Sequence, residues 1–561
     1  MLPAAWALSS KPRRNSPALF FVIILIASTL LLAPKARPAN RNWQNTGTDW
    51  NTGTSWSGNQ VPVAGDTATF QVAKVTNPNL SASDTISILN FSTAASAGYD
   101  ITSSNTGIKL TLTSTGTTTS SAINAANTSG TNIIDVPIVL GAAAASTQTF
   151  TQASGGTLIV NGVISSTNTL TLSLAGGGNV QFSGANTYAG ATTVSAGVLN
   201  IRNNTALGTT ANGTSVTGGA ALELQGTIAV GAEALTLNGT GISSGGALRN
   251  ISGDNSYAGP ITLGSATRIN SDSGTLTLDV VSGNAITGTQ NLTFGGAGNV
   301  TVNDSIATST GTLTKDGAGT LTLAGTNTYT GATSITAGIL LVNGSTASGS
   351  AVTVSNSGTV LGGTGTMGGT VNVNAGAIIN PGPKGTDGTS GSVGTLTISN
   401  ATTGALTLAS TATFHGDAFG TATSAWDKLV VNGTANLGSS TLQIIIASGL
   451  TFNPGDIYTL IDANVLSGTF NGIADDQLVT FSGYQFIADY DLVNGNFDLV
   501  AVPEPSTWLA AGLALGAIGF SQRRRLRACA GPLSVLGYRH SGSVGNSSDP
   551  SHPRSESSLN F

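Results

Sequence analysis

The stretch from Gly319 to Gly344, GTLTLAGTNTYTGATSITAGILLVNG, decides how the whole chain reads. Thr320-Leu321-Thr322-Leu323 and Ile339-Leu340-Leu341-Val342 are short runs of β-branched or apolar residues bounded by Gly or Asn, the pattern of strands and tight turns. The segment Gly178–Ile201, GNVQFSGANTYAGATTVSAGVLNI, repeats it. The two agree without a gap at Gly184/Gly325, Asn186/Asn327, Tyr188/Tyr329, Gly190/Gly331 and Gly197/Gly338. A fainter copy between them carries Gly253, Asn255, Tyr257 and Gly259. Successive tyrosines of the three copies are 69 and 72 residues apart, and each interval divides into three coils of about 23 residues, a solenoid period.

Outward from this motif the theme continues in Val352-Thr353-Val354, Val371-Asn372-Val373 and Leu396-Thr397-Ile398, with no helical periodicity between residues 40 and 500. The expected fold is all-β, a right-handed parallel β-helix with an N-terminal cap. Inward residues would stack about 4.8 Å apart from coil to coil, and Gly and Asn would occupy corners with positive φ. From about residue 146 to 500 that makes on the order of 15 coils and a rod roughly 70 Å long. Trp43, Trp50 and Trp56 read as a cap over the open end, where a terminal coil exposes unpaired backbone groups.

Composition supports the same picture. Of 561 residues only 20 are Lys or Arg and 25 Asp or Glu, 8% charged where an ordinary soluble domain carries about 25%. One cysteine excludes a disulfide scaffold, and three histidines leave no cluster for a zinc enzyme. The 75 glycines lack the three-residue period of collagen. Between residues 42 and 500 there are 8 Lys/Arg against 22 Asp/Glu, a balance of −14, which excludes a nucleic-acid binder. The two ends hold the other 12 basic and 3 acidic residues, a balance of +9, wrapped around apolar runs.

Those ends read as targeting signals. Lys11, Arg13 and Arg14 precede an apolar run from Ala18 to Leu32, as in an export signal. At the other end Pro503-Glu504-Pro505 precedes an apolar segment, Trp508 to Phe520, and then Arg523, Arg524, Arg525 and Arg527. Physically this is a rigid spacer, a membrane helix and a basic stop on the cytoplasmic side. The resulting division is an export signal (1–39), cap and first coils (40–145), repeat-bearing β-helix (146–400), C-terminal β region (401–500), sorting signal (501–527) and polar tail (528–561). The tail holds Cys529, His540 and His552.

The C-terminal order of parts resembles the PEP-CTERM sorting signal of Gram-negative bacteria, apart from the tail beyond the basic cluster. The resemblance implies an exosortase-type membrane protease acting at Pro503-Glu504-Pro505. Gly317 to Ala351 resembles the autotransporter-associated β-strand repeat of large secreted bacterial proteins. The Gly178 copy, Gly362 to Gly369, Pro381-Gly382, the Asp427–Gly433 run and the tryptophan-rich start are similar to other parts of such passengers. The resemblance implies a β-helical surface protein and no particular activity. After Val500 there is one apolar segment instead of the dozen strands of a membrane barrel, so the expected route is the export translocon followed by sorting at the second signal.

The candidate sites are few. Tyr188, Tyr257 and Tyr329 read as turn anchors or a stacking ladder, and alternatively as a platform for extracellular polysaccharide. A polysaccharide lyase or hydrolase needs converging carboxylates or a carboxylate with a base. Yet Arg202, Arg249, Arg268 and Lys315 are the only bases between residues 150 and 350, and none shows an acid at coil spacing. Asp475-Asp476 reads as a turn and His415 as an exposed strand position. Lys315-Asp316-Gly317-Ala318-Gly319 supplies too few ligands for Ca²⁺. The glycine runs 176–178 and 295–298 precede no helix and so are not phosphate cradles. The expectation is therefore an exported, envelope- or surface-held structural or adhesive protein, not an enzyme, with no catalytic, metal or cofactor site. The alternatives are a carbohydrate-active enzyme and a non-catalytic polysaccharide-binding module.

Overall fold

The computed structural model describes residues 37–94, 98–114, 121–383 and 393–502. The export signal, Pro503, Glu504, Pro505, Trp508 to Phe520, Arg523, Arg524, Arg525, Arg527 and the tail to Phe561 lie outside the described residues. No helix among those described is long and apolar enough to cross a membrane.

Strands of two to eleven residues form three hydrogen-bonded sheets of 32, 10 and 4 strands, and short 3-10 turns are the only helical elements among the described residues. From Asn40 to Asn436 the strands pair in parallel, each bonding to the equivalent strand one coil away, with antiparallel contact confined to isolated bridges such as Gly363 to Gly382. The chain therefore winds as a solenoid. Its cause is visible in any repeat unit. In Thr320–Leu323 the threonines point outward and Leu321 and Leu323 are fully buried, because successive side chains of a strand take opposite faces. Parallel register then stacks like on like. One inward column runs Leu158, Val180, Leu199, Leu222, Leu248, Ile269, each residue at most 2% exposed. Each such burial contributes about 1.5–3 kcal/mol.

The coils are not of equal length. Along the column from Val180 to Val373 successive rungs are separated by 19 to 26 residues, the corners absorbing the difference. The corners need glycine in particular places. Gly338 has φ +70°, and a Cβ there would run into the Gly317 and Gly319 carbonyls of the coil below.

The ends differ from the middle. At the first coils Trp43, Trp50 and Trp56 are buried in one cluster with Phe70, ring centroids 4.8–6.0 Å apart, which plugs the core as a cap should. At the other end the winding stops. Strands Ile457–Ser467, Asn496–Ala501, Tyr484–Asp491 and Gln477–Phe481 pair antiparallel, and Trp426, Phe452, Tyr458 and Phe486 pack beneath them.

Candidate functional site

The repeat signature Asn-x-Tyr is inside the rod. Asn186, Asn255 and Asn327 are at most 2% exposed and stitch neighbouring coils. Their Oδ1 atoms accept the amides of Ile164, Ile228 and Ile306 in the preceding coil at 2.7–2.9 Å. Asn186 Nδ2 donates onward to the Ala206 carbonyl, and Asn327 Nδ2 to that of Ser345. Asp304 fills the same slot between two copies, accepting the Val280 amide at 2.7 Å.

Two steps on, Tyr188, Tyr257 and Tyr329 are completely buried. That corrects the polysaccharide-platform reading: a ring with no exposed surface cannot stack on a sugar. Two of the three anchor the turn instead. Tyr188 and Tyr329 hydrogen bond through their hydroxyls to the Thr four residues later, Thr192 at 2.6 Å and Thr333 at 2.9 Å. At Tyr257 the fourth residue is Ile261, and the hydroxyl is buried without a partner. The nearby Glu233 is 3% exposed. Its Oε1 accepts from Thr214 at 2.8 Å and its Oε2 has no partner, so burial raises its pKa above the ordinary carboxylate range.

Lys315 turns inward, where Nζ donates to the carbonyls of Gly317 and, at 3.1 Å, Ala337; burial pulls its pKa down to about 8. Asp316 beside it pairs with Arg268. His415 also departs from expectation. It is 5% exposed, its Nε2 3.3 Å from Asp417 Oδ1. Burial lowers its pKa, but the bond to Asp417 and that residue's charge, together with Gln443 and the charge of Asp427, outweigh this and the net shift is upward. Its strand Thr413–Ala418 is covered on both faces, so alternation no longer reports exposure. Asp427 accepts the amides of Gly394 and Asp417 at 2.8 and 3.0 Å, which favour the carboxylate, while burial pushes it up to about 7. Asp475-Asp476 is a turn, as read; Asp475 accepts the Tyr490 amide.

The feature that sequence reading missed is a polar column on one outer face of the large sheet. Register stacks Gln181 on Asn200, Asn200 on Glu223, Glu223 on Arg249 and Arg249 on Asn270. Asn270 pairs in turn with Gly295, and Asp316 follows one coil on. Arg249 holds Glu223 at 3.3 Å and Asp272 at 2.6 Å, and Asn270 donates to Asp272 at 2.6 Å. Arg268 reaches across the side-chain-free Gly295 to Asp316 at 2.6 Å, where a Cβ would collide with both. At the other end Arg202 bonds to Asn200 and Gln225. The result is one hydrogen-bonded network from Gln225 to Asp316 that contains every arginine between residues 42 and 500.

The reading that no base has an acid at coil spacing is thus corrected: Glu223 and Arg249 are 26 residues apart, Arg249 and Asp272 23, and Arg268 and Asp316 48, two coils. A fixed period of 23 reaches Arg249 and Asp272 but hides the other two pairs; aligning coils of 19–26 residues on their inward aliphatics would have found them all. Chemically the network is self-neutralising, three arginines against Glu223, Asp272 and Asp316. Burial raises the Glu223 pKa, opposed by Asn200 and Arg249. On the ten-strand sheet, a shallow cleft of about 310 Å³ is lined by Thr301, Thr322, Asn299 and Pro383, without a charged group. No group of three metal-ligating side chains occurs among the described residues.

These features define a class, an all-β solenoid of parallel coils whose repeats are locked by a buried Asn-x-Tyr stitch. Comparison with known proteins then gives two family-model matches: the passenger-associated-transport-repeat at residues 150–201 and 313–342, and the PEP-CTERM protein-sorting motif at 501–525. The first covers two of the Asn-x-Tyr copies, and the second begins within the last strand, Asn496–Ala501. The chain is also similar to the adhesin BmaC autotransporter of Brucella suis biovar 1 (strain 1330), at 39% identity over 94 residues. That alignment covers 17% of this chain and 3% of the adhesin.

Proposed function

We propose that this is an exported protein of the Gram-negative cell surface, a right-handed β-helix whose rod serves a structural or adhesive role in the envelope or extracellular matrix. The observation that carries the reading is the joining of two parts. A rod that carries transport-associated repeats at residues 150–201 and 313–342 is followed, after its antiparallel end, by a sorting motif at residues 501–525. In this reading an exosortase-type protease recognises Pro503-Glu504-Pro505. The apolar segment from Trp508 to Phe520 holds the chain in the membrane, with Arg523, Arg524 and Arg525 on the cytoplasmic side. The first apolar run, from Ala18 to Leu32, engages the export translocon. The partial likeness to an adhesin supports surface display and names no target for this chain.

A non-enzymatic role fits the charged groups described above. The carboxylates Glu223, Asp272 and Asp316 are each bonded to an arginine, so none of them is a free general base. The test is deletion of Val502 to Arg527. The body should then appear in the medium while the intact protein stays with the envelope. Unchanged envelope retention of the deletion variant would sink the reading.

A further inference from the structure

We propose that the polar column from Gln181 to Asp316 is a docking track for a linear, uncharged polysaccharide laid along the rod axis. This rests on the surface reading above and supplies its ligand class. The rod is poor in arginine and in charge, yet all three arginines between residues 42 and 500 fall on one face within four successive coils, interlaced with amides and carboxylates. Mutual bonding holds these side chains in place before any ligand arrives, which lowers the entropy lost on binding. The charged heads remain reachable: the side chains of Arg249, Asp272 and Asp316 are 35, 30 and 33% exposed and Arg202 is exposed, while Gln181, Asn200 and Asn270 are buried, the last two bonded to charged neighbours.

The chemistry selects the occupant. A protein partner would need an apolar centre in the interface, and the column has none. A nucleic acid or an acidic polysaccharide would need net positive charge. Here three cations meet three anions, on a body whose balance between residues 42 and 500 is −14. What remains matched is a chain of hydroxyls, each able to donate to an exposed carboxylate and accept from an exposed guanidinium. The repeat geometry suits a polymer. Rungs stand about 4.8 Å apart, so the six steps from Gln181 to Asp316 span about 29 Å, room for several sugar units in a row.

The full-length protein, kept in mild detergent, is run on native gels containing hydroxyethylcellulose or glucomannan, with alginate as the charged comparison. The wild type should be retarded by at least one neutral polymer and not by alginate. Arg202→Gln and Arg249→Gln should each weaken apparent affinity about tenfold or more, the worth of a hydrogen bond to a charged group. Thr301→Ala, on the other sheet, should not. Arg249→Gln leaves two carboxylates unpaired and can disturb folding; Arg202 is exposed, so its variant decides if the other fails to melt like wild type. Absence of retardation in every neutral polymer, retardation by alginate alone, or unaltered retardation of a well-folded Arg202→Gln would overturn the proposal. Failure of the surface reading shows separately, in the release experiment, whatever the gels report.

Discussion

Replacing each repeat tyrosine by phenylalanine removes one oxygen from three positions that are equivalent in sequence but not in structure. At Tyr188 and Tyr329 that oxygen bonds to Thr192 and Thr333, and its loss costs about 1 kcal/mol while the threonine hydroxyl loses a buried partner. At Tyr257 the hydroxyl is buried and unpaired, so its removal relieves a desolvation penalty of about 1 kcal/mol. The predicted spread between Tyr257→Phe and the other two is therefore about 2 kcal/mol, roughly thirtyfold in a local opening constant. A global unfolding curve is the wrong instrument, because coils contact only their neighbours and an array of this length need not melt as one unit. Amide hydrogen exchange resolved by peptide is suitable: protection around residues 186–194 and 327–335 should fall about fivefold in the respective variants. Protection around 255–263 should hold or rise in Tyr257→Phe. Equal losses at all three sites would refute the argument that the threonine four residues on, and not the ring itself, makes the difference.

Asn327→Ala should be worse than any tyrosine change. It strips the Ile306 amide of its acceptor and removes donors to Gly325 and Ser345, about 3 kcal/mol in all, read as lost protection of the coil at 304–308. Glu233 introduces a pH dependence. Its folded pKa is raised above the unfolded value near 4.3, so the neutral acid's contribution is full below about pH 4 and is lost as pH rises through the folded value. Exchange corrected for intrinsic rate should show the coils around 214–257 less protected at pH 8 than at pH 5, and Glu233→Gln should remove the difference. If the variant keeps the full pH effect, Glu233 is not its source.

The tyrosine series also shows how far the sequence could be read. Tyr188, Tyr257 and Tyr329 were visible as a repeat, and the intervals between them gave three coils each, which the observed rungs of 19–26 residues accommodate. Whether those rings faced water was not visible. A tyrosine is compatible with either face, and only the packing of the coils put all three inside. His415 was misplaced for a related reason: its strand lies at the transition to the antiparallel end, where residues on both faces are buried.

The sequence by itself determined the all-β solenoid, its approximate period, the tryptophan cap and the asymmetry of charge between body and ends. These are properties of one or two coils, fixed by alternation, by Gly and Asn at corners and by stacking of like residues on like. Only the tertiary structure decided which distant side chains share a face. Arg249 finds Glu223 behind it because the coil between them is 26 residues long, and Asp272 ahead of it because the next coil of 21 residues sets Asn270 beside Arg249 and Asp272 two residues further along the same face. Arg268 can reach Asp316 because Gly295 leaves the rung between them empty. Register across coils depends on the cumulative length of every corner, and no local pattern records that sum.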